Sequence, residues 1–177
     1  MEGLDPREER LLEAVRKAAA SPLASGHARL EGRPAGQPSD FDRACFELIP
    51  TRADACPLSI CVDAPHDLVG SIGHYNATWG VWSEHPDQEI GVITEMTECV
   101  VSGHVEEWAL VEDGESHASR VVLRRPEVPV RQFAYNQFLP LRLFRMRPGV
   151  RHLRYAPYEG NEKSPAATGA SESWPKS

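Results

Sequence analysis

Hydrophobic positions change period along this chain, and each change marks an element. Leu11, Leu12, Val15, Ala18 and Ala19 recur at steps of one, three and four, the spacing of one helix face. Asp5 stands before Pro6, and Glu8 follows three residues after Asp5. Asp caps a helix, Pro suits its first position, and an acid at the third completes a capping box. The stripe is narrow and Ala-rich. It predicts a short N-terminal helix over 1–20 that docks weakly, or docks onto something else, and stops at Ser21-Pro22. Gly26, Gly32, Gly36, Pro22, Pro34 and Pro38 then make 21–40 read as a flexible linker.

Period two follows. Cys45 to Ile49 and Leu58 to Val62 read as strands, with Leu58, Ile60 and Val62 on one face. Leu68 to Ile72 and Thr78 to Trp82 form a further pair, broken by Gly73-His74-Tyr75-Asn76. Trp79 and Val81 oppose Thr78, Gly80 and Trp82, so Gly80 predicts a bulge or a close packing partner. From Asp87 to Ser102 the helical period returns. Ile90, Ile93, Met96 or Thr97, Val100 and His104 lie on one side, with Glu89, Glu95 and Glu98 as polar positions. Pro86-Asp87 starts this helix and Gly103 ends it.

Val105 to Val111 and Ala118 to Leu123 are strands joined by Asp113-Gly114, a hairpin signal. Glu106 and Glu107 therefore point to opposite faces. Val130 to Tyr135 and Leu139 to Phe144 fit either edge strands or extended loops that wrap the sheet. The sum is an α+β fold: a mostly antiparallel sheet, one long helix packed on it, and a separate short N-terminal helix. The folded domain is expected over 41–158 and a disordered tail over 159–177.

Composition leaves this picture in place: 177 residues, 41% hydrophobic and 25% charged, suit one globular domain. Charge changes it. Between Ala53 and Ser119 there are thirteen carboxylates and no Lys or Arg; between Arg120 and Arg154 there are nine Arg and one acid, Glu127. Two opposed blocks in a small domain are most favourable when adjacent, so the Arg-rich section is expected to lie over the acidic one. The other two readings are a surface for an acidic partner, and phosphate binding with Phe133, Tyr135, Phe138, Phe144 and Tyr155 stacking on bases. A net charge of −7 and the lack of a recognition signature weigh against nucleic acid. Arg7 and Arg33 are expected to lie outside the core.

The charged N-terminus has no apolar signal region, and no run of about 18 apolar residues exists. A cytoplasmic protein is expected, with no membrane contact and with Cys45, Cys56, Cys61 and Cys99 as reduced thiols. Their spacing is poor for zinc.

Candidate chemistry is sparse, and no cofactor is expected. Asp63, His66, Asp67 and His74, with His85 downstream, could gather round a divalent metal and activate water. The competing reading is a polar turn. Gly70-Ser71-Ile72-Gly73 lacks the first glycine of a nucleophile elbow. The expectation is a non-enzymatic protein-binding domain, an inhibitor, immunity-type antidote or adaptor with an acidic face. Its partner-binding residues would be Trp79, Trp82, Trp108, Glu84, Glu106, Glu107 and Glu112. The alternatives are a metal-dependent hydrolase using the Asp63/His66/Asp67/His74 group and a nucleic-acid accessory protein using Arg120–Arg154.

Overall fold

Two antiparallel sheets and three helices share one hydrophobic core in a computed structural model that describes residues 4–33, 44–63, 67–82, 85–112, 115–124, 131–136 and 149–160. The first helix, α1 (Pro6–Ala18), begins as its sequence dictates. Asp5 accepts from the Arg7 and Glu8 amides, and the Glu8 side chain accepts from the Asp5 amide. It is not separate. Leu11, Leu12 and Val15 are buried in the common core, and α1 packs on α3 (Pro86–Val101). Ser21-Pro22 does not end helical structure, because Pro22 falls in the first turn of α2 (Ala20–Ala24), where no amide donor is needed.

The expected linker also contains a strand. β1 (Ala28–Arg33) pairs along its length with β2 (Ala44–Pro50). β3 (Leu58–Val62), β4 (Asp67–Ile72) and β5 (Ala77–Trp82) complete a five-stranded antiparallel sheet in the order β1-β2-β3-β4-β5. Register lines up two faces. Leu48, Leu58, Ile72 and Ala77 form one inward row, and Phe46, Ile60, Gly70 and Trp79 another. Outward, Glu31, Glu47, Ser59, Ser71 and Thr78 run across all five strands.

The close approach lies at Gly70 rather than Gly80. A Cβ at Gly70 would sit 2.7 Å from Cζ2 of Trp79 and would overlap the Ser59 carbonyl, whereas one at Gly80 would meet nothing nearer than 3.6 Å. The missing side chain of Gly70 is the space that the Trp79 indole fills.

The helix α3 matches its sequence limits, with Ser102 as C-cap and Gly103 at φ 70°. Ile93, Met96, Val100 and Thr97 are buried. β6 (Val105–Glu112), β7 (Glu115–Leu123), β8 (Arg131–Asn136) and β9 (Gly149–Arg154) form the second sheet, ordered β8-β7-β6-β9. The β6–β7 hairpin and β8 agree with the sequence reading. β9 was not foreseen, and 137–148, which holds the expected Leu139 to Phe144 strand, lies outside the described residues, as does the tail from 161 onward.

After β9 the chain forms a strap. Tyr155 donates its amide to the Val105 carbonyl, Ala156 to Asp54 and Tyr158 to Val101, while the Tyr158 hydroxyl donates to the Cys56 carbonyl at 2.6 Å. The strap ties the segment before β3 to the α3–β6 corner. No helix of the described residues is long and apolar enough to cross a membrane.

Candidate functional site

Glu107 is a buried carboxylate held by three hydrogen-bond donors. Along β6 it shares its face with Val105 and Ala109, both buried, and its own exposure is 0%. Its carboxylate lies under the turn between β4 and β5. Oε2 accepts the His74 amide at 2.9 Å and the Tyr155 hydroxyl; Oε1 accepts the Tyr75 amide at 3.0 Å. The His74 amide also stands 2.7 Å from the Tyr155 hydroxyl. Gly73, at φ 87°, makes this possible. It takes a conformation that disfavours side chains, and a Cβ there would come within 2.6 Å of the carboxyl carbon. Asn76, at φ 54°, closes the turn, and the Ser119 hydroxyl of β7 donates to the Tyr75 carbonyl.

Burial raises the Glu107 carboxyl from its ordinary 4.5 to about 7, against the opposing pull of the Tyr155, Tyr75 and His74 hydrogen bonds. The same burial, with the Glu107 charge nearby, pushes the Tyr155 phenol and the Cys56 thiol well above their usual ranges. The cluster holds a base, a phenol and a thiol, yet it is closed: Glu107, Tyr155 and Cys56 are all buried. His74 marks its outer limit, exposed, with Nε2 donating to the Ala53 carbonyl at 3.0 Å and its ring tilted against Tyr155.

An open polar region lies on the outer face of the first sheet. A crevice of about 200 Å³ is lined there by Glu47, Ile49, Pro57, Ser59, Ser71, Gly73 and Asn76. It exists because small side chains, Ser59 and Ser71, sit between taller ones on the neighbouring strands. The side chains of Glu47, Ser59, Ser71 and Asn76 make no hydrogen bond to other described residues.

The expected partner residues are dispersed. Glu107, Trp79 and Trp108 are buried, which corrects their placement on an exposed face. Trp79 fills the space over Gly70. Trp108 stacks on His152 at 4.4 Å between ring centres with the planes 8° apart. Glu106 faces outward but is surrounded by Arg124 at 3.5 Å, Arg154 at 3.6 Å and His152 at 3.7 Å. At this point the Arg-rich section does lie over the acidic one. Trp82 and Glu112 close β5 and β6, described in backbone alone, and Glu84 lies outside the described residues. Glu89, expected as a polar position, is 2% exposed and bonded by Arg7 at 2.7 and 3.0 Å, so the half-buried Arg7 is tied to the core.

The described members of the metal group do not come together. Asp63 and Asp67 flank the β3–β4 turn, where the Asp63 amide donates to the Asp67 carbonyl. His74 follows the other end of β4, roughly 20 Å along a strand of this length. His66 lies outside the described residues, and among those described no group of three His, Cys, Asp or Glu is placed to share an ion.

The cysteine expectation is corrected in part. Cys45 and Cys61 are direct partners in the β2–β3 register and form a disulfide, with Cα atoms 4.1 Å apart; Cys56 and Cys99 are free and buried. Spacing could not show this, because strand register made the pair.

The sequence reading offered Tyr155 only as an aromatic that could stack on bases, whereas its hydroxyl is bonded to Glu107, and it missed the outer-face row. A signal for Glu107 was present: it shares the parity of Val105, Ala109 and Val111, the apolar face of its strand. No protein-family model matches the chain, and neither the curated proteins nor the solved structures give a match.

Proposed function

We propose that this chain is a non-enzymatic protein-binding domain, of the inhibitor, immunity-type antidote or adaptor kind, and that it binds through the outer face of β1–β5. The observation that carries this reading is the crevice bordered by Glu47, Ser59, Ser71 and Asn76, whose polar side chains make no hydrogen bond among the described residues. Polar groups left unpaired by the described residues on a partly exposed sheet face suit a partner that brings its own donors. Glu47 at the border, with no ion pair among the described residues, favours a basic side chain, whereas Glu31 beside it is paired with Arg29 at 3.0 Å. A hydrolase built on Asp63, His66, Asp67 and His74 is disfavoured by the length of β4 between its members. Nucleic-acid binding is disfavoured where Arg124 and Arg154 are already occupied with Glu106.

The test has two stages. A partner captured from source cells by the immobilised domain is identified and titrated against wild type, Glu47→Arg, Ser59→Trp and the distant control Glu13→Arg. The expected result is binding at least roughly tenfold weaker for the first two variants, with an association rate that falls as salt rises. Outer-face variants that bind as wild type would overturn the surface; lack of any saturable partner would overturn the function.

A cytoplasmic location belongs to this reading as a proposal, and the Cys45–Cys61 pair bears on it. Reducing compartments keep thiols open, whereas oxidising ones preserve such bonds. Protein alkylated at the moment of cell lysis should show both thiols free if the location is cytoplasmic. A bond already formed at that point would move the protein to an oxidising compartment.

A further inference from the structure

We propose that Glu107 makes the β4–β5 turn a proton-operated latch: its charged carboxylate grips the turn, and protonation of Oε2 reverses the Tyr155 hydrogen bond and loosens that grip. When the group is ionised, three donors converge on it, the His74 and Tyr75 amides and the Tyr155 hydroxyl. Hydrogen bonds to a charged acceptor are roughly twice as strong as neutral ones. A proton on Oε2 has one hydroxyl within reach, that of Tyr155, and must donate to it. The Tyr155 hydrogen then loses its acceptor, and the His74 amide, already 2.7 Å from the phenol oxygen, is left facing a hydroxyl instead of a charge. A buried hydroxyl without an acceptor is unfavourable, so protonation weakens the hold on the turn even as it relieves the larger cost of burying a charge.

The groups around Glu107 leave it as the one that switches. The β4–β5 turn brings His74 and Tyr75, the strap brings Tyr155, the segment before β3 brings Cys56, and β7 brings uncharged Ser119 against the turn. No Lys or Arg among the described residues bonds to Glu107. Burial places its carboxyl at about 7, while Tyr155 and Cys56 are driven far upward and stay protonated. The turn cannot back away, since Gly73 lies on the carboxylate with no room for a Cβ. Gly73 and Asn76 also line the outer-face crevice, so the latch would adjust the wall of the proposed binding surface between mildly acidic and mildly basic conditions. That consequence rests on the binding reading; the latch itself does not.

The experiment follows the ¹H–¹⁵N resonances of the His74 and Tyr75 amides in the free, full-length protein from pH 5.5 to 8.5. Both should move with a common midpoint near 7. Glu107→Gln should flatten both curves. Tyr155→Phe removes a hydrogen bond that favours the charged form, so it should raise the midpoint. His74→Asn retains the backbone amide and should leave the titration in place. Flat wild-type curves, the same transition in Glu107→Gln, an unmoved midpoint in Tyr155→Phe, or loss of the transition in His74→Asn would each overturn the latch. Should Glu107→Gln fail to fold, the Tyr155→Phe midpoint decides alone. Because no partner enters the measurement, its failure would leave the outer-face reading standing.

Discussion

Glu107 is held between opposing forces: desolvation favours its neutral form, and three hydrogen bonds favour its charge. Desolvation wins, so the folded protein binds this proton more tightly than the unfolded chain does. Stability from this group is therefore fully present below about 4.5 and is lost as pH rises through about 7. That interval corresponds to about 3 kcal/mol, of which about 2 kcal/mol falls between pH 5.5 and 8. Urea midpoints should drop over that range in wild type, and Glu107→Gln should remove most of the difference. Asp54, lowered by its hydrogen bond to Arg52, has the opposite sign but acts at lower pH. Two glycines give a second prediction at this scale. Gly70→Ala drives a methyl group into Trp79 and the Ser59 carbonyl and should cost about 3 kcal/mol. Gly91→Ala, in the exposed middle of α3 with nothing within 4 Å, should stabilise by about 1 kcal/mol. Thermal unfolding of both variants checks the pair, and equal effects would contradict the Trp79–Gly70 contact.

Elements are joined by polar contacts as well as by the core. α1 packs on α3 with Leu11, Leu12 and Val15 in the common core, and the two-point bond from Arg7 to Glu89 fixes its seat. Glu89 is nearly inaccessible, so removal of its partner strands a charge. Arg7→Ala should cost roughly 3–5 kcal/mol, and the double variant Arg7→Met/Glu89→Leu should recover much of it. Denaturant curves of both decide this. A cost under about 0.5 kcal/mol for Arg7→Ala would match the expectation, read from sequence, that Arg7 lies outside the core. An Ala-rich stripe suggested weak docking because propensity and spacing describe one helix alone; the buried ion pair needs both.

For the whole molecule, electrostatics link distant stretches of chain. Glu106 gathers Arg124 from beyond β7 and His152 and Arg154 from β9. These contacts are partly exposed, so each contributes on the order of 0–1 kcal/mol. Arg124→Glu should destabilise by about 1 kcal/mol at 0.1 M salt, and the loss should shrink at 1 M, where the Debye length falls to about 3 Å. Urea midpoints at the two salt concentrations are the measurement. A flat response would remove Glu106 as the point where the two charge blocks meet.

Local rules were enough for much of the fold. The Asp5-Pro6-Glu8 cap, the α3 limits at Pro86 and Gly103, and the alternation in β2 to β7 are short-range signals, set by backbone sterics and by side-chain period. The α+β class followed from their order. Short-range signals say nothing of register or of which faces meet. Gly and Pro made 21–40 resemble a linker, although β1 is held there by pairing with β2. Cys45 and Cys61 became partners through register, and the Trp79 indole found Gly70 through the same ladder. For Glu107, strand parity in the sequence pointed inward, but the donors that make burial of a carboxylate tolerable come from 33 and 48 residues away. A buried polar group is defined by its partners, and partners distant along the chain are assigned only by the tertiary structure.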